Sequence, residues 1–550
     1  MSRIPYRMSH AHSLETRHCD TIIVGAGIAG LSCAARLFRH PHFKKKENLL
    51  VLEARDRIGG RIGSVTVNGC RLDTGANWIH GIGTEDNPNP LMKVLPHKRY
   101  RQLASVVSFR APEYSRRHDE STSEDEWIHV EDSKSELTTP GHDLVISADV
   151  AGPIMGSLWA LIGELRERAL KTPPEEAKRT TVLSAIAKSH TLSDTYQEIP
   201  STLHQTLAGM PQFVENMEAA PLAAQSAEHP QGMPGFGLLE FANDDFEGDQ
   251  VFLQDGYTAV VNDIAKELVS AGLVELDTEV QKVKWNEGPI IIETNRCTYT
   301  ARELVCTLPL GVLQHDIQEK SSIFEPDLPQ DKLEAILGLG FGTLDKIFLI
   351  YDQPWWEDEQ YFSIYKKGIV KMPSGSEKTS KERCEAPDSF MGFTDELAGI
   401  VFNKDGTTTT GLRILSLINL KNLTGFPVLS AFVSCSNASQ IESLTEKQAG
   451  SIIHRALTTW FGIETPKPSS VYVTRWAADS YSRGSYSHMI ASVSEVTHRK
   501  CFQQPIVNDK SSVLRFAGEH TSINHFATVH GALLSGWREA DDILKKVMRL

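Results

Sequence analysis

Two sets of residues in this sequence are spaced for chemistry: glycines that admit a phosphate, and a lysine inside an apolar run. The glycines are in Gly25-Ala26-Gly27-Ile28-Ala29-Gly30, after the β-branched run Thr21–Val24 and before Leu31-Ser32-Cys33-Ala34-Ala35-Arg36-Leu37. Gly25 suits a tight turn, Gly27 lets backbone approach a pyrophosphate, and Gly30 lets a helix pack close to a strand. The helix start adds free N–H groups and partial positive charge. A second apolar run, Leu49–Leu52, ends in Glu53, 23 residues after Gly30. A carboxylate there accepts hydrogen bonds from ribose hydroxyls. A glycine-rich turn without a ligand is the bland alternative; strand, helix and acid together favour a dinucleotide.

The next stretch, Glu53-Ala54-Arg55-Asp56-Arg57-Ile58-Gly59-Gly60-Arg61, suits a second backbone loop around a flavin dinucleotide. Arg61 is placed there as a fork donor to pyrophosphate. The lysine is Lys346, in Gly340-Phe341-Gly342-Thr343-Leu344-Asp345-Lys346-Ile347-Phe348-Leu349-Ile350. In a strand, Lys346, Phe348 and Ile350 share one face, and Ile347, Leu349 and Tyr351 the other. Lysine is rarely buried unless paired or used. The competing reading is a lysine at a strand end, reaching out to solvent.

With these motifs on the page, the sequence resembles the flavin-containing amine oxidase family, and within it the polyamine oxidases. The matching segments are Ile22 to Arg61, Asp73 to Gly81, Gly256 to Leu268, Leu337 to Phe348, Trp476 to Ser487 and Phe516 to Ala540. The resemblance implies FAD contacts at Gly25, Gly27, Ala29, Gly30, Glu53, Ala54, Arg55, Gly60, Arg61, Ala76, Asn77, Trp78, Val280, Trp476, Gly518, Glu519, Thr528 and Val529. It places the Thr528-Val529 backbone beside the isoalloxazine ring and gives Lys346 a water that contacts flavin N5. It turns His80 toward the substrate channel, where a histidine can hydrogen-bond an amine; a structural histidine is the other reading. Glu218 aligns with an amine-binding acid, or is a solvated helix face. Tyr481, His525 and Phe526 are further candidates for lining the substrate, as is Trp476, although Trp476 and Tyr481 suit a core equally.

Two departures from the family pattern matter. Relatives with covalent flavin carry a cysteine where this chain has Ser485, so FAD is expected to be non-covalent. Many members place a tyrosine where this chain has His525, which changes the aromatic wall beside the amine. The implied reaction is oxidation of a carbon–nitrogen bond of spermine, spermidine or their N-acetyl forms. Oxygen is the acceptor, and the products are an aldehyde, a smaller amine and hydrogen peroxide. A histone-lysine or amino-acid substrate, or a non-catalytic flavoprotein, are the other readings.

The elements that must position these groups read as α/β. A Rossmann-like FAD-binding domain is expected from the discontinuous segments 19–90, 248–318 and 508–550. A substrate-binding domain of mixed sheet and helices is expected from 91–247 and 319–507. Residues 150–225 have helical spacing, and Val529 to Met548 reads as a last helix. Arg116 to Ser135 and Met372 to Asp388 read as polar inserts. The formal net charge is −14. That disfavours nucleic acid as a partner and favours approach of cationic small molecules. The eight cysteines form no C-x-x-C, and none pairs with a histidine at zinc spacing, so no metal is expected. No apolar run of membrane-spanning length occurs, and Met1 to Asp20 lacks a secretory apolar stretch. The expectation is a cytoplasmic or peroxisomal protein, Met548-Arg549-Leu550 being a degraded peroxisomal tripeptide.

Overall fold

The computed structural model describes residues 16–95, 100–102, 107–110, 148–198, 207, 210–222, 235–242, 246, 248, 251–319, 323–361, 390–393, 400–402, 408–410, 416–461 and 463–548. Both polar inserts expected from composition lie outside them, as do the last two residues.

The opening alternation forms as read. Thr16–Val24 is a strand, Ile28–Phe38 a helix and Leu49–Leu52 the next strand. The two strands pair in parallel, Thr21 opposite Leu49 and Val24 opposite Leu52. Leu49–Leu52 is buried throughout, as are Thr21–Val24, which is why both read as continuous apolar runs. On its other side Thr16–Val24 pairs in parallel with Thr298–Cys306, and the end of that strand pairs in parallel with Val513–Phe516. Antiparallel strands Ile290–Thr294 and Val280–Lys284 follow. Val274–Glu275, Phe324–Glu325 and Ile506–Val507 complete a nine-stranded mixed sheet among the described residues. The chain therefore returns to its first sheet from its middle and its end.

The last helix, Val529–Val547, lies on the first. The contact is backbone-close: a Cβ on Gly536 would stand 2.1 Å from the Ala29 carbonyl oxygen. Ser32 Oγ donates to the Leu533 carbonyl at 3.1 Å across the same seam. Helix Tyr257–Ser270 packs into the same apolar cluster through Val260, Val261, Ala265 and Leu268.

The second sheet has six strands, in the order Ser470–Val473, Leu344–Ile350, Val428–Ser434, Ser416–Asn419, Phe390–Phe393 and Val107–Arg110. One face, with Ile347, Leu349 and Val433, packs on Ala449, Ile453 and Leu457 of the helix Glu446–Phe461. The other face, with Phe348 and Ile350, packs on Leu72 and Phe252. The strand expected over residues 340–350 is two pieces, Gly340–Gly342 and Leu344–Ile350. The first pairs with Tyr486–His488 and the second with Val428–Ser434, so the chain changes sheets at Thr343. The described part of 150–225 is helical, in Ala148–Lys171, Pro174–Arg179, Val182–Ile186, His190–Glu198 and Met210–Glu218. Among the described residues no helix is long and apolar enough to cross a membrane.

Candidate active site

The glycine turn is built for something outside the chain. Gly25 has φ +102°, which favours glycine, and its N–H donates to the Leu52 carbonyl at 2.7 Å. A Cβ on Gly30 would stand 2.0 Å from the Gly25 carbonyl, so the helix needs glycine there to leave the strand so sharply. Gly27 differs. Its φ is −73°, and a Cβ there would meet nothing within 4 Å. The chain itself therefore has no need of glycine at 27. Gly27 is also the N-cap of the first helix, with no side-chain cap and no acid in the first turn. Ala29 is buried in the helix behind.

Glu53 is buried; its Oε2 accepts the Ala26 N–H at 2.7 Å and its Oε1 the Arg55 N–H at 3.0 Å. Burial pushes its carboxyl up, against those two N–H groups and Arg55 and Arg57. Ala54 and Gly60 are half-buried, and Gly60, at φ +58°, lies against Gly27. Arg55 reaches the loop after Ser470–Val473, donating to both Asp479 oxygens at 2.7 and 2.8 Å and to Ser482 Oγ. Arg61 donates to the Ser485 carbonyl at 2.6 Å and to Glu519 Oε1 at 3.0 Å. Tyr481 sits under Arg55, its ring centroid 5.3 Å from the guanidinium carbon. That places it with Arg55 and Asp479. Val280 is half-buried at the head of its strand.

Lys346 is 4% exposed, on the sheet face that packs on Leu72 and Phe252. Its Nζ donates to the Asp73 carbonyl at 3.1 Å and to the Gly75 carbonyl. The reading of a lysine reaching solvent is thereby set aside. Burial pushes its ammonium down to about 8, with Asp73 pulling back. From Gly75 the chain continues through Ala76 and Asn77, whose carbonyl accepts the Leu253 N–H at 3.2 Å, to the strand Trp78–Ile79. Trp78 packs edge-on against Phe252 at 4.7 Å. Trp476 closes the same segment, its Nε1 donating to the Thr74 carbonyl at 3.2 Å.

The segment ends at His80, which is exposed. It faces an imidazole–aromatic cluster. His525 stacks on Phe246 at 4.7 Å and 17°, and His530 meets both rings edge-on at 5.3 and 5.2 Å. Burial, then His525 and His80, push His530 down to about 3, so it is neutral at ordinary pH. Thr528 caps the last helix, its Oγ1 accepting the Gly531 N–H at 3.0 Å, and Val529 opens it. Phe526 is buried on the opposite side of the chain from this stack, beneath Arg499. Gly518, at φ +136°, donates its N–H to Ser535 Oγ at 2.9 Å and leads into buried Glu519. Glu218 is half-buried at the end of Met210–Glu218, where its charge raises Glu240 and Tyr486 beyond what burial does.

The sequence did not single out Phe246, Asp73 or Arg499. Phe246 lies in an acidic stretch with no periodic signal, and its partner His525 is 279 residues away. Asp73 and Arg499 read as ordinary charged residues, and only their burial sets them apart.

The family model of flavin containing amine oxidoreductases matches residues 28–544. The chain belongs to this family. Flavin amine oxidases are FAD enzymes, and the glycine turn, with its open Cβ position at Gly27 and uncapped helix start, fits that dinucleotide. A peroxisomal N(1)-acetyl-spermine/spermidine oxidase of Bos taurus is 28% identical over 95% of this chain and 94% of its own length. Polyamine oxidase 4 of Oryza sativa subsp. japonica is 26% identical over 96% of this chain and 89% of its own. A possible lysine-specific histone demethylase 1 of Drosophila melanogaster is 25% identical, but this chain spans 63% of it. A putrescine oxidase redesigned in cofactor binding shares the fold, with TM-score 0.60 and 17% identity over 96% of this chain and all of that one.

Proposed function

We propose that this flavin amine oxidase is a polyamine oxidase, acting on a carbon–nitrogen bond of spermine, spermidine or their N-acetyl forms. The amine, oxygen and water become an aldehyde, a smaller amine and hydrogen peroxide. The observation that carries the reading is the Asp73–His80 segment, which holds buried Lys346 at one end and reaches the imidazole–aromatic cluster at the other. The full-length similarity to polyamine oxidases supports it. In this reading residues 19–90, 248–318 and 508–550 hold FAD, non-covalently because Ser485 replaces cysteine, and 91–247 and 319–507 hold the amine.

Bound FAD supplies the acceptor for a hydride equivalent from the amine's α-carbon. The chain's own residues prepare that transfer. An ammonium has three donors, and Lys346 gives two to carbonyls. The third is left to hold a water at the reacting atoms. The slot of Phe246, His525 and neutral His530 removes water from the amine and so favours loss of its proton. His80, at the exposed end, offers a ring nitrogen to hydrogen-bond a more distant amine. Glu519 and Arg61 brace the cofactor side. A peroxisomal address fits the mammalian relatives' names.

The test is anaerobic reduction of the flavin by a panel of amines. Spermine, spermidine or an N-acetylated form should bleach the purified yellow protein. Bleaching only by a methylated histone-tail peptide or by an amino acid would replace the polyamine, and no bleaching by any amine would leave a non-catalytic flavoprotein.

A further inference from the structure

The side chain of Lys346 leaves its strand on one face, and that of its neighbour Asp345 on the other. Asp345 is fully buried. Its Oδ1 accepts the Thr474 hydroxyl at 2.7 Å and the Trp476 N–H at 3.1 Å. The next two N–H groups, of Ala477 and Ala478, go to Glu442 Oε1 and Oε2 at 2.7 and 2.9 Å. Glu442 ends the helix Cys435–Glu442. Three consecutive backbone N–H groups are therefore held by two carboxyls within hydrogen-bond reach of each other. Two carboxyls bond each other only when one carries a proton, because an ionised carboxylate has no donor. Among the described residues no donor reaches the remaining oxygen, buried Asp345 Oδ2. Arg475, beside Trp476, directs its guanidinium to the Ile441, Glu442 and Leu444 carbonyls and not to the pair.

The segment so held meets the Lys346 site twice. Thr474 Oγ1 accepts the Lys346 N–H at 2.8 Å, and Trp476 Nε1 donates to the Thr74 carbonyl. Thr74 lies between Asp73 and Gly75, whose carbonyls hold the Lys346 ammonium. We propose that Asp345 is a positioning residue that acts as a neutral carboxylic acid, sharing one proton with Glu442 to clamp residues 474–478 and so fix the carbonyls that orient Lys346. This rests on the assignment of Lys346 to the flavin site.

The place asks one short side chain to accept from two donors and to donate to Glu442. A neutral carboxyl does both. An ionised one sets two negative charges in contact, away from water. The electrostatics agree with the geometry: burial, then Glu442, push the Asp345 carboxyl up to about 8, with Thr474 and Trp476 pulling back. The neighbouring strand sets Val433 opposite Asp345, and the helix Glu446–Phe461 brings Ala449, Ile453 and Leu457 to the same sheet face. Cys435 opens the helix that Glu442 ends. The Lys346 ammonium, with Asp73, lies on the other face, and Asp479, further along the loop, is paired with Arg55. Between the ordinary aspartate range and about 8 the folded chain keeps a proton that the unfolded chain has lost. Stability therefore falls as pH rises through that window and levels above it.

The experiment compares holoenzyme carrying Asp345→Asn or Asp345→Leu with wild type. Asparagine keeps the acceptor and offers an N–H to Glu442 at every pH, as the neutral acid does only below about 8. Anaerobic flavin reduction gives a limiting rate and an amine Kd at a series of pH values. Dividing the wild-type rate by the Asp345→Asn rate removes the titrations of Lys346 and of the amine, which both enzymes share. That ratio should stay near one at acid and neutral pH and fall about tenfold above about 8. Asp345→Leu should lose roughly tenfold to a hundredfold in limiting rate at every pH, with the amine Kd near wild type. An Asp345→Asn enzyme as slow as Asp345→Leu at neutral pH overturns the proposal, since the segment would then need the ionised group. So does a ratio that does not change with pH, or an Asp345→Leu enzyme with the wild-type rate. Denaturant unfolding supplies an arm without substrate. The midpoint of wild type relative to Asp345→Asn should decline as pH rises toward about 8 and then level, and a constant difference overturns the neutral acid. Should Asp345→Leu fail to fold, the Asp345→Asn ratio decides. If no polyamine reduces the wild-type flavin, the substrate reading fails, while the unfolding arm still decides whether Asp345 is neutral.

Discussion

Lys346 is the clearest case of a residue whose surroundings change its chemistry. Its two carbonyl partners fix its position, and burial lowers its pKa to about 8. The sign of the pH effect follows. The native protein gives up this proton earlier than the unfolded chain, so between about 8 and the ordinary lysine range the unfolded chain binds more protons. Stability then rises with pH across that window, and below it the cost stays constant. Denaturant unfolding at a series of pH values should show this rise, worth roughly 3 kcal/mol. Lys346→Met should abolish the rise and slow anaerobic flavin reduction about a hundredfold or more. A variant that keeps both would leave Lys346 a core residue with no part in the reaction.

At the scale of the element, the turn between Thr16–Val24 and Ile28–Phe38 separates two reasons for glycine. Gly30 is required by the chain, because a Cβ would enter the Gly25 carbonyl at 2.0 Å. Gly27 is required by nothing in the chain, because its Cβ would meet open space at an ordinary φ. Gly30→Ala should therefore destabilise the FAD-free protein, by about 1–3 kcal/mol or more from overpacking. Gly27→Ala should leave the melting temperature of the FAD-free protein near wild type and weaken FAD binding, measured by flavin fluorescence on titration. Equal effects of the two changes on the FAD-free protein would remove the argument that a ligand shapes this turn. In the second sheet, the alternation along Leu344–Ile350 sends Ile347 and Leu349 to the helix Glu446–Phe461 and Lys346 to the Asp73 and Gly75 carbonyls. A one-residue slip would reverse that.

For the whole molecule, the relevant quantities are its charge and how its chain is threaded. A net charge of −14 attracts polycationic amines over distance. Salt screens that field over about 10 Å at moderate ionic strength. The kcat/KM for spermine should therefore fall as salt rises, with kcat nearly constant and a singly charged amine less affected. A kcat that fell in parallel would place the salt effect in the folded site instead of in the approach. Threading matters because the first sheet takes strands from residues 16–24, 298–306 and 513–516. Arg61 and Glu519, 458 residues apart, meet only because the chain returns to this sheet at its end.

The sequence by itself determined the dinucleotide turn, the last helix and the oddness of Lys346. Each is set by local rules: glycine sterics, helical spacing, and the cost of placing an ammonium in an apolar run. The tertiary structure alone decided that Lys346 is buried against Asp73 and Gly75, that Tyr481 sits under Arg55, and that Phe246 and His525 share a stack. It also decided that Asp345 and Glu442 hold one segment together. Those pairs are separated by tens to hundreds of residues, and no local pattern encodes them. Packing the face of the second sheet on Leu72 and Phe252 excludes water from the space between them, and a charge left there must find its partners.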